Sequence, residues 1–297
     1  MGCYYGAKLA RAGDDVHFLM RGDTAEVRNR GIQIRGRQSF EIERPKLYSS
    51  TQEVGACDLV VISVKATSNG DLPKLITPLL HAETMLLTLQ NGFGNEEFLA
   101  KHFGAERVLG ALCYVCISRV APGVVEEFDA GRVEIGEYLG PPQSRTRRVA
   151  EHFRRGGVTC RVVENLTLER WRKLIWNIPF NGLSITSGGF DTAALLSNEQ
   201  LRANCIALME EVIGAAEKSG FQLPNDIIQR ELERTKGMGP YKPSTLIDFE
   251  EGKRFEVEAI WGEPLRRAMV VGAKTPRLES LYAQLKEIDM ARSQMAG

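Results

Sequence analysis

Residues 59–65 read Leu-Val-Val-Ile-Ser-Val-Lys and residues 85–91 read Met-Leu-Leu-Thr-Leu-Gln-Asn. Each is a short, nearly unbroken apolar run that stops on polar residues. A strand covered on one face alternates apolar with polar positions, whereas a run this continuous suits a strand covered on both faces of a parallel sheet. Val16-His17-Phe18-Leu19-Met20 reads as a further strand, ending at Arg21, and residues 2–12 before it suit a short helix. The first half alternates such segments, the pattern of strands joined by crossover helices.

Residues 108–139 shift to β-branched runs with glycine turns, and 158–163 adds one closing strand. From 165 onward the periodicity is helical, in segments 167–183, 192–219, 226–236, 245–248, 255–271 and 276–291. At 297 residues the chain suits two domains. The expected architecture is α/β: a Rossmann-like dinucleotide-binding domain over 1–164, followed by an all-helical domain over 165–297.

Composition narrows the partners. Lys+Arg and Asp+Glu balance at 38 each, so no overall basic field attracts nucleic acid or an anionic membrane surface. No apolar run approaches the roughly 20 residues of a membrane span. The six cysteines are scattered and read as reduced thiols in a cytoplasmic protein. Cys113 and Cys116 form a CxxC, but inside a strand-like run, with no second pair and no nearby histidine, which favours packing over metal or redox chemistry.

In open α/β sheets ligands bind beyond the carboxyl ends of the strands, which here are marked by Arg21, Lys65 and Asn91. Polar residues also simply end strands, yet three together, with Gly92 and Gly94 leaving room for close backbone approach, favour a site. Where an NAD-binding fold carries an acidic residue for the ribose 2′-hydroxyl, this chain has Arg21. A guanidinium pairs with a 2′-phosphate, which argues for NADP over NAD; Asp23 nearby would soften that preference.

A dinucleotide fold should open with a strand and a G-x-G-x-x-G turn, but the sequence starts at MGCYYGAKLARAG. Gly2 and Gly6 look like the tail of that fingerprint, with the helix N-terminus receiving the pyrophosphate. The first strand is therefore expected to be missing, with Met1 at an internal position of a natural protein that begins some residues upstream.

In the helical half, Lys173, Asn177 and Asn181 recur every four residues within an apolar run and so share one helix face. Burying them is costly without partners, so either they line a site or they form a solvent-facing stripe. Thr245 and Asp248 match a capping box, a purely structural role. Ser244 and Glu256 are candidates for chemistry, although a carboxylate at the start of the helix expected over 255–271 also simply favours the helix dipole.

GCYYGAKLARAG, LVVISVK, LQNGFGNEE, WRKLIWNIPFN and KPSTLIDFEEGKRFEVEAI, in this order across nearly the whole chain, resemble the ketopantoate reductases. The resemblance implies NADPH as cofactor and reduction of 2-dehydropantoate to pantoate, toward pantothenate and coenzyme A. It implies Lys173 as proton donor with Glu256 as its catalytic partner, Arg21 and Lys65 on the cofactor, and Asn91 near nicotinamide and substrate. Asn177, Asn181 and Ser244 fall on substrate-binding positions. Two positions depart from the family pattern: Asp191 stands where asparagine is common, and Trp261 makes I-W-G of a common I-N-G. These departures leave open an NADPH-dependent reductase of another branched or aromatic 2-oxo acid. A non-catalytic NADP-binding sensor is disfavoured, since it needs neither Lys173 nor Glu256. The expected partner is a small-molecule 2-oxo acid, with no nucleic acid and no membrane, and a homodimer is left open.

Overall fold

The apolar runs of the first half become strands in a computed structural model of the chain, which describes residues 1–20 and 22–295. Two compact units emerge: the first comprises Met1–Val64, Ser68–Gln90 and Glu96–Leu166, the second Lys65–Thr67, Asn91–Asn95 and Thr167–Gly297.

The first unit contains, in chain order, α1 (Gly2–Arg11), β1 (His17–Leu19), α2 (Thr24–Arg30), β2 (Ile32–Arg35), β3 (Phe40–Ile42), β4 (Lys46–Tyr48) and β5 (Leu59–Ile62). There follow α3 (Leu72–Ile76), β6 (Met85–Thr88), α4 (Asn95–Phe103), β7 (Val108–Ala121), β8 (Val124–Glu137), α5 (Ser144–Arg155) and β9 (Cys160–Val162). The main sheet is mixed, in the order β3-β2-β8-β7-β6-β5, with β9 also on β8. Strands β5, β6 and β7 run parallel, whereas β7 and β8 form a long antiparallel hairpin. Strands β1 and β4 make a separate parallel pair, not bonded to β5.

Strand β6 explains the continuous apolar runs. Leu86 and Leu87 are both fully buried, yet Leu86 packs with Ile62, Leu72 and Leu99, and Leu87 with Tyr5, Leu109 and Phe153. Successive side chains point to opposite faces, so both faces of the sheet are covered and both positions must be apolar. Helix α1 fits closely because of its glycines. A Cβ on Gly2 would lie 2.6 Å from Ser63 Oγ, and one on Gly6 would lie 2.5 Å from the Phe18 ring.

The second unit has no strand among its described residues. Its helices are α6 (Leu166–Thr186), α7 (Thr192–Ser197), α8 (Glu199–Lys218), α9 (Ile227–Met238), α10 (Ser244–Glu250), α11 (Glu263–Val270) and α12 (Pro276–Met295). Their core gathers Trp171, Trp176, Phe180, Phe255 and Trp261. The single helix expected over 192–219 is broken at Asn198, whose side chain accepts the Leu201 N–H and starts α8 anew. The helix expected from 255 instead opens with a π-helical turn over Glu258–Gly262 that runs into α11. No helix among the described residues is long and apolar enough to cross a membrane.

Candidate active site

Helix α6 presents Lys173, Asn177 and Asn181 on successive turns of one face, and the structure gives each a different occupation. Lys173 Nζ donates to Asn91 Oδ1 at 2.8 Å. Asn91 belongs to the segment Asn91–Asn95 that packs within the helical unit, and Asn95 Nδ2 donates to the Asn91 carbonyl at 2.9 Å. The lysine of the helical half and the amide that follows β6 are thus in direct contact.

Asn177 is 8% exposed, and its amide makes no hydrogen bond among the described residues, so both its donor and its acceptor are available to a ligand. Asn181 is spent differently. Its Nδ2 donates to the Asn177 carbonyl at 3.0 Å, and its Oδ1 accepts the backbone N–H of Thr245 at 3.2 Å. First-turn amide hydrogens have no partner within their own helix, so Asn181 caps α10 from another helix and fixes the exposed Ser244 beside it.

The capping box expected of Thr245 and Asp248 does not form. Helix α10 starts at Ser244 with Pro243 as its cap residue, two positions earlier than a Thr245 cap requires. Asp248 instead pairs with Lys65, which follows β5 in sequence. The ammonium nitrogen of Lys65 is shielded from solvent and held by the Asp248 carboxylate. Burial pushes the Asp248 carboxyl above its ordinary range, and Lys65 opposes the shift.

Glu256 lies just before the helical segment and does not act as a helix-dipole residue. Its Oε1 accepts the backbone N–H of Ala66 at 2.9 Å. Burial raises its carboxyl above the usual range, against the lowering effects of the Ala66 N–H, Lys65 and Lys173, with Asp248 adding to the rise. A carboxyl whose folded pKa lies above its unfolded value contributes stability that is full below the unfolded pKa and lost as pH rises through the folded pKa. Glu256→Gln, which keeps the Oε1 acceptor and removes the charge, is therefore expected to be more stable than the parent at pH values above the raised pKa. The advantage should shrink as the pH falls into the ordinary carboxylate range. Thermal midpoints of the two proteins measured across that range test this, and a variant less stable at the alkaline end contradicts it.

The two departures from the family pattern have structural occupations. Asp191 is the cap of α7, its carboxylate accepting the Ala194 N–H at 2.8 Å. Trp261 is fully buried, and its indole N–H donates to the Ile178 carbonyl at 3.0 Å. The room left by Gly92 is also taken by protein, since a Cβ there would lie 2.1 Å from the Ala259 carbonyl oxygen. Arg21 lies outside the described residues.

Sequence reasoning missed two participants in the cluster. Asp248 was hidden by a local pattern that explained it without any distant partner. Phe93, 3% exposed, inserts its ring against Trp171, with centroids 4.9 Å apart, and lies under the Arg267 guanidinium at 4.1 Å. An aromatic residue between two glycines after a strand was the available signal.

Comparison with known proteins identifies the family. Residues 1–140 match the family model described as Ketopantoate reductase PanE/ApbA, and residues 165–289 match that of its C-terminal part. A 2-dehydropantoate 2-reductase of Nostoc sp. is 37% identical over 97% of this chain and 92% of its own length. The crystal structure of 2-dehydropantoate 2-reductase from Geobacter metallireducens GS-15 superposes with a TM-score of 0.94 at 39% identity, covering 97% of this chain and 96% of that one. The corresponding protein from Methylococcus capsulatus gives a TM-score of 0.90 at 32% identity, covering 98% and 94%. With both halves matched in order, the chain belongs to the ketopantoate reductase family of oxidoreductases.

Proposed function

We propose that the protein reduces 2-dehydropantoate to pantoate with NADPH, Lys173 serving as the general acid. The observation that carries this reading is the contact of the Lys173 ammonium with the Asn91 side-chain oxygen. The residues fit such a cofactor. Gly2 opens α1, whose first-turn N–H groups have no partner within the helix and suit a pyrophosphate, and Lys65, paired with Asp248, has further N–H donors for a phosphate. Arg21 would complete the set by pairing with the 2′-phosphate.

When bound, NADPH supplies hydride to the C2 carbonyl carbon of the acid. Lys173 then delivers a proton to the oxygen that becomes the hydroxyl, stabilising the negative charge as it develops there. Glu256 holds the ammonium and the new hydroxyl in place, its own position set by Ala66. Asn177 and Ser244 offer neutral hydrogen bonds that orient the substrate. Asn181 acts through the helix it caps.

The test is to supply purified protein with NADPH or NADH and a panel of branched and aromatic 2-oxo acids, following consumption of the reduced cofactor. The highest kcat/KM is expected for 2-dehydropantoate with NADPH. A higher value for an aromatic acid would reassign the substrate, and no oxidation with any acid would overturn the reductase reading.

A further inference from the structure

The Ala259 carbonyl is bonded outside its own helix, by the Phe93 N–H, and the sequence shows why. In the π-helical turn Glu258–Gly262 the Glu263 N–H reaches back five residues to the Glu258 carbonyl. The next donor in that ladder would be residue 264, which would serve Ala259, but residue 264 is proline and has no N–H. The freed carbonyl accepts the Phe93 N–H at 2.9 Å. Gly92, at φ +79°, lies flat against the same carbonyl, where any side chain would collide. Asn91, directly before it, receives the Lys173 ammonium.

The connection closes on itself. Two residues after Ala259, the Trp261 indole N–H binds the Ile178 carbonyl, and Ile178 lies on α6 little more than a turn from Lys173. Lys173, Asn91, Phe93, Ala259, Trp261 and Ile178 thus form a ring of contacts that begins and ends on α6. We infer that Pro264 and the π turn are a positioning device for the proton donor: by leaving the Ala259 carbonyl free to capture Phe93, they hold Asn91 against Lys173. π-Bulges recur at functional sites because they release a backbone group from the helical ladder, and here the released group has an identified use. The inference rests on the reading of Lys173 as general acid.

Pro264→Ala restores an N–H that competes for the Ala259 carbonyl without adding bulk. Its kcat is expected to fall by about 5-fold, the factor corresponding to one net hydrogen bond. Gly92→Ala displaces the loop outright, and a misplacement on the order of 1 Å costs about 10²-fold. In both variants the alkaline limb of the pH–rate profile should move to lower pH, as in Asn91→Ala, because an acceptor that favours the charged ammonium is withdrawn. On an Asn91→Ala background neither substitution should cost anything further, since both act through Asn91. Additive losses, or a limb that stays in place, overturn the inference. Should Gly92→Ala fail to fold, Pro264→Ala carries both readouts, and Trp261→Phe provides an independent break in the ring. Full turnover in Lys173→Ala would defeat the general-acid reading instead, and is seen separately.

Discussion

Lys173→Ala is expected to turn over between about 10² and 10⁴ times more slowly than the parent, the range over which a positioned general acid contributes. NADPH affinity should be nearly intact, because the residues assigned to the cofactor are Gly2, Gly6, Arg21, Lys65 and Asn91, all of which the substitution leaves in place. Single-turnover kinetics alongside a direct NADPH titration separate the two quantities. Unchanged turnover removes Lys173 from the reaction. A loss confined to cofactor binding would make the lysine a cofactor contact. The prediction depends on geometry, since Asn91 is fixed by its own bond from Asn95 and by the docking of Phe93, so its oxygen meets the ammonium at a set position.

Trp261→Ala should lower the unfolding free energy by about 3–5 kcal/mol, the usual cost of truncating a buried aromatic residue. The indole is fully buried, lies edge-on to Phe255 with ring centroids 6.5 Å apart, and donates to Ile178. Its neighbours are helices tied elsewhere, so collapse around the cavity is limited. Denaturant titration of variant and parent measures the difference. A loss below about 1 kcal/mol would mean that the site closes over the missing ring, contrary to the close packing of protein interiors.

Much of the architecture was legible because it is written in local periodicity. The runs at 59–64 and 85–89 announce a sheet covered on both sides, and the four-residue spacing of Lys173, Asn177 and Asn181 announces a shared face. Strands β2, β3 and β4 were not singled out. At three or four residues each, with Gln33, Arg35, Glu41 and Lys46 among them, they are too short and too charged for a period of two to show. The occupations within the polar face were also illegible. Nothing near Asn181 in sequence says that its amide caps a helix more than sixty residues away, and nothing near Asp248 names Lys65 as its partner. Pro264 was a signal within reach: proline favours the first turn of a helix, so it argued for a helix starting near 263 instead of 255.

The burial of Leu86 and Leu87 on opposite sides of β6 bears on where chemistry can reside at all. A strand covered by hydrophobic layers on both faces offers a ligand no face to reach, so a group that meets one must come after the strand. Gln90 is still buried, and Asn91 is the next position. Asn91 is thereby the earliest position after β6 whose amide escapes the desolvation that full enclosure imposes.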